Sequence, residues 1–423
     1  MSCTLFAMKP RTIDQLDVAG RRVFVRADFN VPQDDAGKIT DDRRIRLTLP
    51  TIESILNRGG SVILASHLGR PEGIGHEAEF SLKPVAERLR ELSPLLSGLR
   101  LIAGRATDEA AAQAAAALKP GESLLLENLR FEKGEKKGDA VLAATLSQYA
   151  DAYCNDAFGA SLRTDASMFA LPMAFRAQGH PCVAGKLLER EIRYLKGVVD
   201  SPAKPFVAIV GGAKVSDKLI ALRNLCGRVD TILVGGAMAY TFLKALGTPV
   251  GRSLVQDKML DEALAILQFA AEHSTKIELP VDHVCGDALV LGTPTRIVVG
   301  AIPDELMGLD IGPATVERFA AIIKTAKTIV WNGPVGAFET PPFHEGSFKL
   351  VNAVVEATKH GATSVAGGGD TAAAVEAAGA AEHFSHISTG GGASLEMLEG
   401  KEFVCVNALD PAPAIGYNIF HES

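Results

Sequence analysis

The chain has 423 residues, 47% of them hydrophobic and 22% charged, enough for two or three domains with substantial cores. A formal net charge of −7 excludes a general nucleic-acid coat and a polybasic membrane anchor, while leaving room for a local basic site for a small anion. Aromatic residues make up 6% against 41 glycines, which suits helices packed closely on sheets and argues against an all-β sandwich.

Short apolar runs alternate with helical patterns along the whole chain, the pattern of a parallel α/β sheet. Early strands are predicted at Arg22–Arg26, Ser61–Ala65, Ser123–Leu126 and Ala152–Cys154. Between the first two, a helix is predicted from Pro50 to Arg58, stopped by Gly59. A second opens with Ser81 as its N-cap and Pro84 in its first turn. The segment Lys186–Lys196 reads as a helix, and Ser201-Pro-Ala-Lys-Pro205 as a boundary after it.

From Phe206 the alternation restarts with a different accent. Phe206–Val210 runs into Gly211-Gly212, Thr231–Val234 into Gly235-Gly236, and Thr328–Trp331 into Asn332-Gly333. Ser364–Ala366 meets Gly367-Gly-Gly369, and His386–Thr389 meets Gly390-Gly-Gly392. The expected fold is therefore α/β, two doubly wound parallel-sheet lobes joined by an interdomain helix. The boundaries are 1–185 for the first lobe, 186–200 for the helix and hinge, and 201–400 for the second lobe. The tail, 401–423, is expected to return to the first lobe.

Ligands of open α/β sheets bind beyond the carboxyl ends of the strands. In the first half those ends carry Asp28, Asn30, His67, Arg70, Arg130 and Arg163, a wall suited to a compact, multiply charged anion. In the second half they carry glycines, Lys214 and Lys218, suited to a nucleotide approached by bare backbone. Lys218 is expected in the first turn of a helix from Asp217 to Cys226, where a bound phosphate would offset the unfavourable dipole. Gly367-Gly-Gly-Asp-Thr371 opens another helix, with Asp370 available for magnesium. An isolated glycine pair is a tight turn and an isolated arginine a solvated side chain; their repetition after strands is what points to ligands. Neither a G-x-x-x-x-G-K-[ST] loop nor a G-x-G-x-x-G fingerprint occurs.

Arg26-Ala-Asp-Phe-Asn-Val-Pro32 resembles the signature of phosphoglycerate kinases. Asp42-Arg-Arg-Ile-Arg46, Ser66-His-Leu-Gly-Arg-Pro71, Glu127-Asn-Leu-Arg130 and Asp156-Ala-Phe-Gly159 follow in the family's order. So do Gly211–Lys218, Gly308–Pro313, Trp331–Pro334, Gly367–Thr371 and Ser388–Ser394. The resemblance implies that Asp28, Phe29, Asn30, Arg44, His67, Leu68, Gly69, Arg70, Arg130 and Arg163 hold 3-phosphoglycerate or 1,3-bisphosphoglycerate. It makes Arg44, Lys214 and Lys218 the catalytic cations. It assigns ATP or ADP to Gly212, Lys214, Lys218, Gly235, Gly236, Gly312, Pro313, Asn332, Pro334, Glu339, Gly367, Gly368, Gly369, Asp370 and Thr371, with Asp370 meeting Mg2+. Leu162 and Asp165 stand where many members carry histidine, and the tail from Val404 to Pro413 departs from the common ending.

The implied chemistry is direct in-line phosphoryl transfer without a phosphoenzyme, completed by lobe closure about the helix. A catalytically inactive nucleotide-binding regulator of the same fold and a dinucleotide-dependent oxidoreductase remain as alternatives. The former lacks support from the complete set Arg44, Lys214, Lys218 and Asp370, the latter from the missing fingerprint. The 6 cysteines form no CxxC pair, no charged leader precedes an apolar stretch, and no apolar run reaches membrane-spanning length. A cytoplasmic monomer with neither nucleic-acid nor membrane partners is expected.

Overall fold

The computed structural model describes residues 9–390, 393, 394, 396, 401 and 403–412. By internal packing the described residues up to Ile192, with those from Phe403 onward, form one unit; Arg193 to Lys401 form the other.

The N-terminal unit contains β1 (Arg22–Ala27), β2 (Ser61–Ala65), β3 (Arg100–Ile102), β4 (Ser123–Leu126), β5 (Ala152–Asp156) and β6 (Cys182–Ala184). They form a six-stranded sheet in the order β3-β4-β2-β1-β5-β6, with every pairing parallel. Its helices are α1 (Arg43–Asn57), α2 (Lys83–Leu92), α3 (Glu109–Ala116), α4 (Ala140–Ser147) and α5 (Leu171–Ala177), and α6 (Lys186–Asp200) runs through the division between the units. Because β1 lies between β2 and β5, the chain leaves it in one direction first and in the other later. This is the switch point at which doubly wound sheets open a crevice.

The C-terminal unit builds a second parallel sheet from β7 (Phe206–Val210), β8 (Thr231–Val234), β9 (Lys276–Glu278), β13 (Thr328–Asn332), β14 (Thr363–Gly367) and β15 (His386–Ile387). The order is β15-β14-β13-β7-β8-β9, so its switch point lies between β13 and β7. Around it are α7 (Leu219–Leu225), α8 (Met238–Ala245), α9 (Leu260–Glu272), α10 (Pro313–Thr325), α11 (Glu345–Lys359) and α12 (Gly369–Ala377). The unit adds a three-stranded antiparallel sheet, β11-β10-β12, made of β10 (Asp282–Gly286), β11 (Arg296–Val299) and β12 (Met307–Ile311). Sequence reading missed this sheet, whose edge strand β11 is largely exposed and has no continuous buried face.

Four element predictions need correction. The helix predicted to start at Pro50 starts at Arg43, and the proline is interior. Pro50 denies the Arg46 carbonyl its helical partner, but both residues are exposed, so water can take that place. The helix predicted from Asp217 starts only at Leu219, leaving Lys218 at the N-cap position rather than in the first turn. Side chains hold the preceding residues outside the helix: Ser216 N–H donates to Gln256 at 3.1 Å and Ser216 Oγ to Asp217 at 3.1 Å. Strand β15 stops at Ile387, two residues before its expected end, and Gly391 and Gly392 lie outside the described residues. Finally, Leu82, not the expected Ser81, is the N-cap of α2; Ser81 lies one residue before it, its Oγ accepting from Lys83 N–H at 3.2 Å.

Two carboxylates are sealed into these packings. Asp156, at the end of β5, accepts from the N–H groups of Leu187 and Leu188 at 2.9 and 3.1 Å, occupying the start of α6. Asp310, in β12, accepts from Ile311 N–H at 2.9 Å and Gly346 N–H at 2.6 Å. Burial pushes each up to about 7 despite these bonds. The folded chain therefore keeps protons that an unfolded carboxyl, with a pKa of about 3.9, gives up. The stability contributed by each group is complete below the unfolded value and is lost as pH rises through about 7. Asp310→Asn should shrink the difference in denaturation midpoint between about pH 5 and pH 8 relative to the parent protein. An unchanged difference would mean that Asp310 does not titrate in that window.

Candidate active site

At the carboxyl end of β1, Arg26 is fully buried although it belongs to a strand of apolar neighbours. Its Nε donates to Ser167 Oγ at 2.7 Å, and one terminal nitrogen donates to the Ala27 carbonyl. Ser167 passes the contact on, its Oγ donating to Glu135 at 2.5 Å and its N–H at 3.0 Å. Burial raises the Glu135 pKa, with Arg26 and Ser167 opposing that shift.

The other terminal nitrogen of Arg26 lies 3.2 Å from His67 Nδ1, and Arg163 Nη2 lies 3.3 Å from His67 Nε2. Guanidinium groups only donate, so a protonated ring would present N–H to N–H on both sides. Burial, then Arg26, Arg130, Arg163 and Arg44, hold the His67 pKa well below its ordinary value. Asp28 Oδ1 is 4.0 Å from Nδ1, too far to reverse that balance, and the imidazole stays neutral.

Arg44, in the first turn of α1, donates to Asp28 Oδ2 and to the Asn30 carbonyl, both at 3.1 Å. Asn30 Oδ1 accepts from Gly69 N–H at 2.8 Å, and the Gly69 carbonyl accepts from Arg130 at 2.6 Å. Gly69 has φ 60°, and a Cβ there would lie 2.3 Å from the Phe80 ring, so the position demands glycine. Asn128 pins the same loop, accepting from the N–H groups of Leu68 and Arg130 at 3.2 and 3.0 Å. Phe29 is buried and donates its N–H to Ser66 Oγ at 2.8 Å, while Arg70 is exposed. Asp28, Asn30, Arg44, Gly69 and Arg130 are thus joined by hydrogen bonds, and Arg163 meets His67, whose Nδ1 lies 4.0 Å from Asp28. Sequence reading gave no role to Arg26, Ser167 or Glu135; a charged residue ending the apolar run Val23–Val25 was the available signal.

In the C-terminal unit the loops after β7, β8 and β13 are knitted backbone to backbone. Gly211 N–H donates to Asn332 O and Gly212 N–H to Pro334 O, both at 3.0 Å, and Gly236 N–H donates to Val335 O at 2.8 Å. A Cβ on Gly211 would meet Pro334 O at 2.1 Å, and one on Gly333 would meet Gly211 O at 2.2 Å. These glycines, with Gly235 against Val335, serve loop-to-loop contact at the switch point. Gly369 is different: nothing lies within 4 Å of its Cβ position.

Lys218 reaches the side-chain oxygen of Asn332, whose amide donates to Gly367 O at 3.0 Å. Thr371 Oγ1 accepts from Gly333 N–H and donates to Gly367 O, both at 2.7 Å, tying α12 to the loop after β13. Lys214 and Glu339 are exposed. Gly312 and Pro313 begin α10, where Asp282 already accepts from the N–H groups of Ala314 and Thr315 at 2.9 and 2.7 Å.

Among the described residues no three His, Cys, Asp or Glu side chains gather as a metal cluster. Magnesium bound through nucleotide phosphates needs only one or two carboxylates. Asp370 is an exposed oxygen donor in the first turn of α12, beside the bare Gly369, and fits that need.

A cationic cradle at one switch point and a glycine-lined one at the other agree with a family model described as phosphoglycerate kinase, which matches residues 13–401. The chain belongs to the phosphoglycerate kinase family. A phosphoglycerate kinase of Rhodopirellula baltica is 50% identical over 408 residues, covering 96% of this chain and all of the relative. The cytosolic phosphoglycerate kinase of Triticum aestivum is 48% identical over 403 residues, covering 95% of this chain and 98% of the relative. A solved phosphoglycerate kinase of Coxiella burnetii superposes with a TM-score of 0.85 at 38% identity, covering 94% of this chain and 98% of that one.

Beside Arg163, Leu162 is half-buried and Asp165 is buried. The tail residues lie against the same segment: Phe403 stacks on Phe158 with centroids 5.3 Å apart, and Cys405 Sγ donates to the Arg163 carbonyl at 2.9 Å.

The two kinds of glycine predict different mutants. Gly211→Ala should lower stability by about 1–3 kcal/mol or more, because the Pro334 backbone has to yield. Gly369→Ala should fold normally and weaken ATP binding by roughly tenfold, if a phosphate approaches that backbone. Thermal denaturation and calorimetric titration with ATP separate the two, and undiminished ATP affinity in Gly369→Ala would remove Gly369 from the phosphate site.

Proposed function

We propose that this chain interconverts 1,3-bisphosphoglycerate and ADP with 3-phosphoglycerate and ATP, the glycolytic activity of its family. The observation that carries the reading is the acceptor cradle, in which Arg44 is fixed by Asp28 and Asn30, Arg130 is held by the Gly69 carbonyl, and Arg26 and Arg163 flank a neutral His67. Planar guanidinium groups grip carboxylate and phosphate oxygens in pairs, matching a small molecule that bears both.

The acceptor carboxylate is already ionised, so no general base is required. Arg130 and Arg163 would orient the acceptor, and Arg44 would face the transferring group together with Lys214 and Lys218. Asn332 steers the Lys218 ammonium, and the backbone at Gly212, Gly368 and Gly369 would receive nucleotide phosphates. Magnesium held by Asp370 and the nucleotide would supply charge neutralisation on the phosphates. The nucleotide contacts of Gly235, Gly236, Gly312, Pro313, Pro334 and Glu339 are part of the same proposal. Direct transfer between ligands held by separate units requires closure, for which α6 is the proposed hinge.

A cytoplasmic monomer is the accompanying proposal. It is supported by the five described cysteines being buried free thiols and by the cytosolic designation of the Triticum aestivum relative. No described helix is long and apolar enough to cross a membrane.

ATP consumption should require both 3-phosphoglycerate and magnesium, and equal hydrolysis without the acceptor would contradict a kinase. Arg44→Ala should cut kcat by on the order of 10³–10⁵ with little change in either KM, as for other charge-stabilising residues in phosphoryl transfer. Arg130→Ala should weaken 3-phosphoglycerate by roughly one to two decades while sparing nucleotide binding. Lys218→Ala should do the reverse, measured by titrating each ligand into each folded variant.

A further inference from the structure

The acceptor cradle contains an acid that gripping an anion does not need. Asp165 precedes the short turn Ala166–Ala170, and its carbonyl accepts from the N–H groups of Met168 and Phe169 at 2.9 and 3.0 Å. Its carboxylate does not cap that turn. Asp165 Oδ2 instead lies 3.3 Å from Arg163 Nε, with the Asp165 side chain 8% exposed. The two atoms are too poorly aligned for a hydrogen bond, and both are buried without another directed partner, as is Arg130 Nε. The contact is therefore one of charge. It extends to Arg130, whose pKa burial and Arg163 lower while Asp165 raises it.

We infer that Asp165 is a built-in counter-ion that sets how strongly the acceptor site holds anions, acting through Arg163 and Arg130 as a positioning residue. An incoming anion competes with the Asp165 carboxylate for the same guanidinium charge. An acceptor with a phosphate at one end and a carboxylate at the other regains the loss through contacts along its length. A small inorganic dianion cannot, so the counter-ion selects for length and against free sulfate or phosphate. Cys405 backs the arrangement without adding charge: its thiol is pushed up to about 12, by burial first and then by Asp165, and stays protonated against the Arg163 carbonyl.

The inference rests on the cradle being the 3-phosphoglycerate site, and sulfate titration keeps the two questions apart because it needs no turnover. In the full chain, Asp165→Asn removes the charge and keeps the shape. Sulfate affinity, measured by calorimetry, should rise on the order of tenfold, and 3-phosphoglycerate affinity should rise less, narrowing the discrimination. Asp165→Glu should retain the parent's weak sulfate binding, which a purely structural role would not predict. If Asp165→Asn does not fold by circular dichroism, Asp165→Ser carries the same expectation. The added Arg163→Gln change should abolish most of the gain, because the counter-ion then has little to neutralise. Sulfate affinity that is unchanged or reduced in a folded, charge-removed variant overturns the inference. Acceptor-independent ATP consumption by the unaltered protein would instead overturn the kinase reading.

Discussion

The N-terminal unit depends on holding four guanidinium groups around one buried imidazole. Arg26, Arg44, Arg130 and Arg163 all act on His67, and none can shed its charge. Like charges at such range repel strongly where water is scarce. The fold answers with carboxylates placed one by one: Asp28 beneath Arg44, Asp165 beside Arg163, and Glu135 reached from Arg26 through Ser167. His67 contributes by staying neutral. The repulsion that remains is a cost to the empty fold, and a bound anion would lower it.

The glycine-rich loops of the C-terminal unit solve a different problem. Its loops must come within hydrogen-bonding distance of one another before they can receive anything, and a side chain on Gly211 or Gly333 would forbid it. Much of the glycine richness is thus spent on joining β7, β8 and β13 at the switch point. Gly369, by contrast, is exposed with open space about its Cβ position. Asn332 and Thr371 complete the join, and their side chains fix the position of Lys218 and α12 instead of pointing outward as free hydrogen-bonding groups.

Sequence alone determined the alternation of strands and helices, the division into a cationic and a glycine-rich half, and the residues of the family motifs. These are local properties, because apolar runs and post-strand motifs follow from a few neighbouring residues. Three features needed the tertiary structure. The antiparallel sheet β11-β10-β12 was invisible because its edge strand lacks a buried period. The start of α1 was misplaced because a proline in water can stay inside a helix, and that of α7 because Gln256, about forty residues away, competes for Ser216. The tertiary structure also decided which charges meet. Arg26 and Ser167 are 141 positions apart, and Arg163 and His67 are 96 apart; no spacing rule pairs them. Parallel strands bring distant segments to a common edge, and only there does Asp165, beside Arg163, lie among the arginines around His67 rather than standing as one more acidic residue in a negatively charged chain.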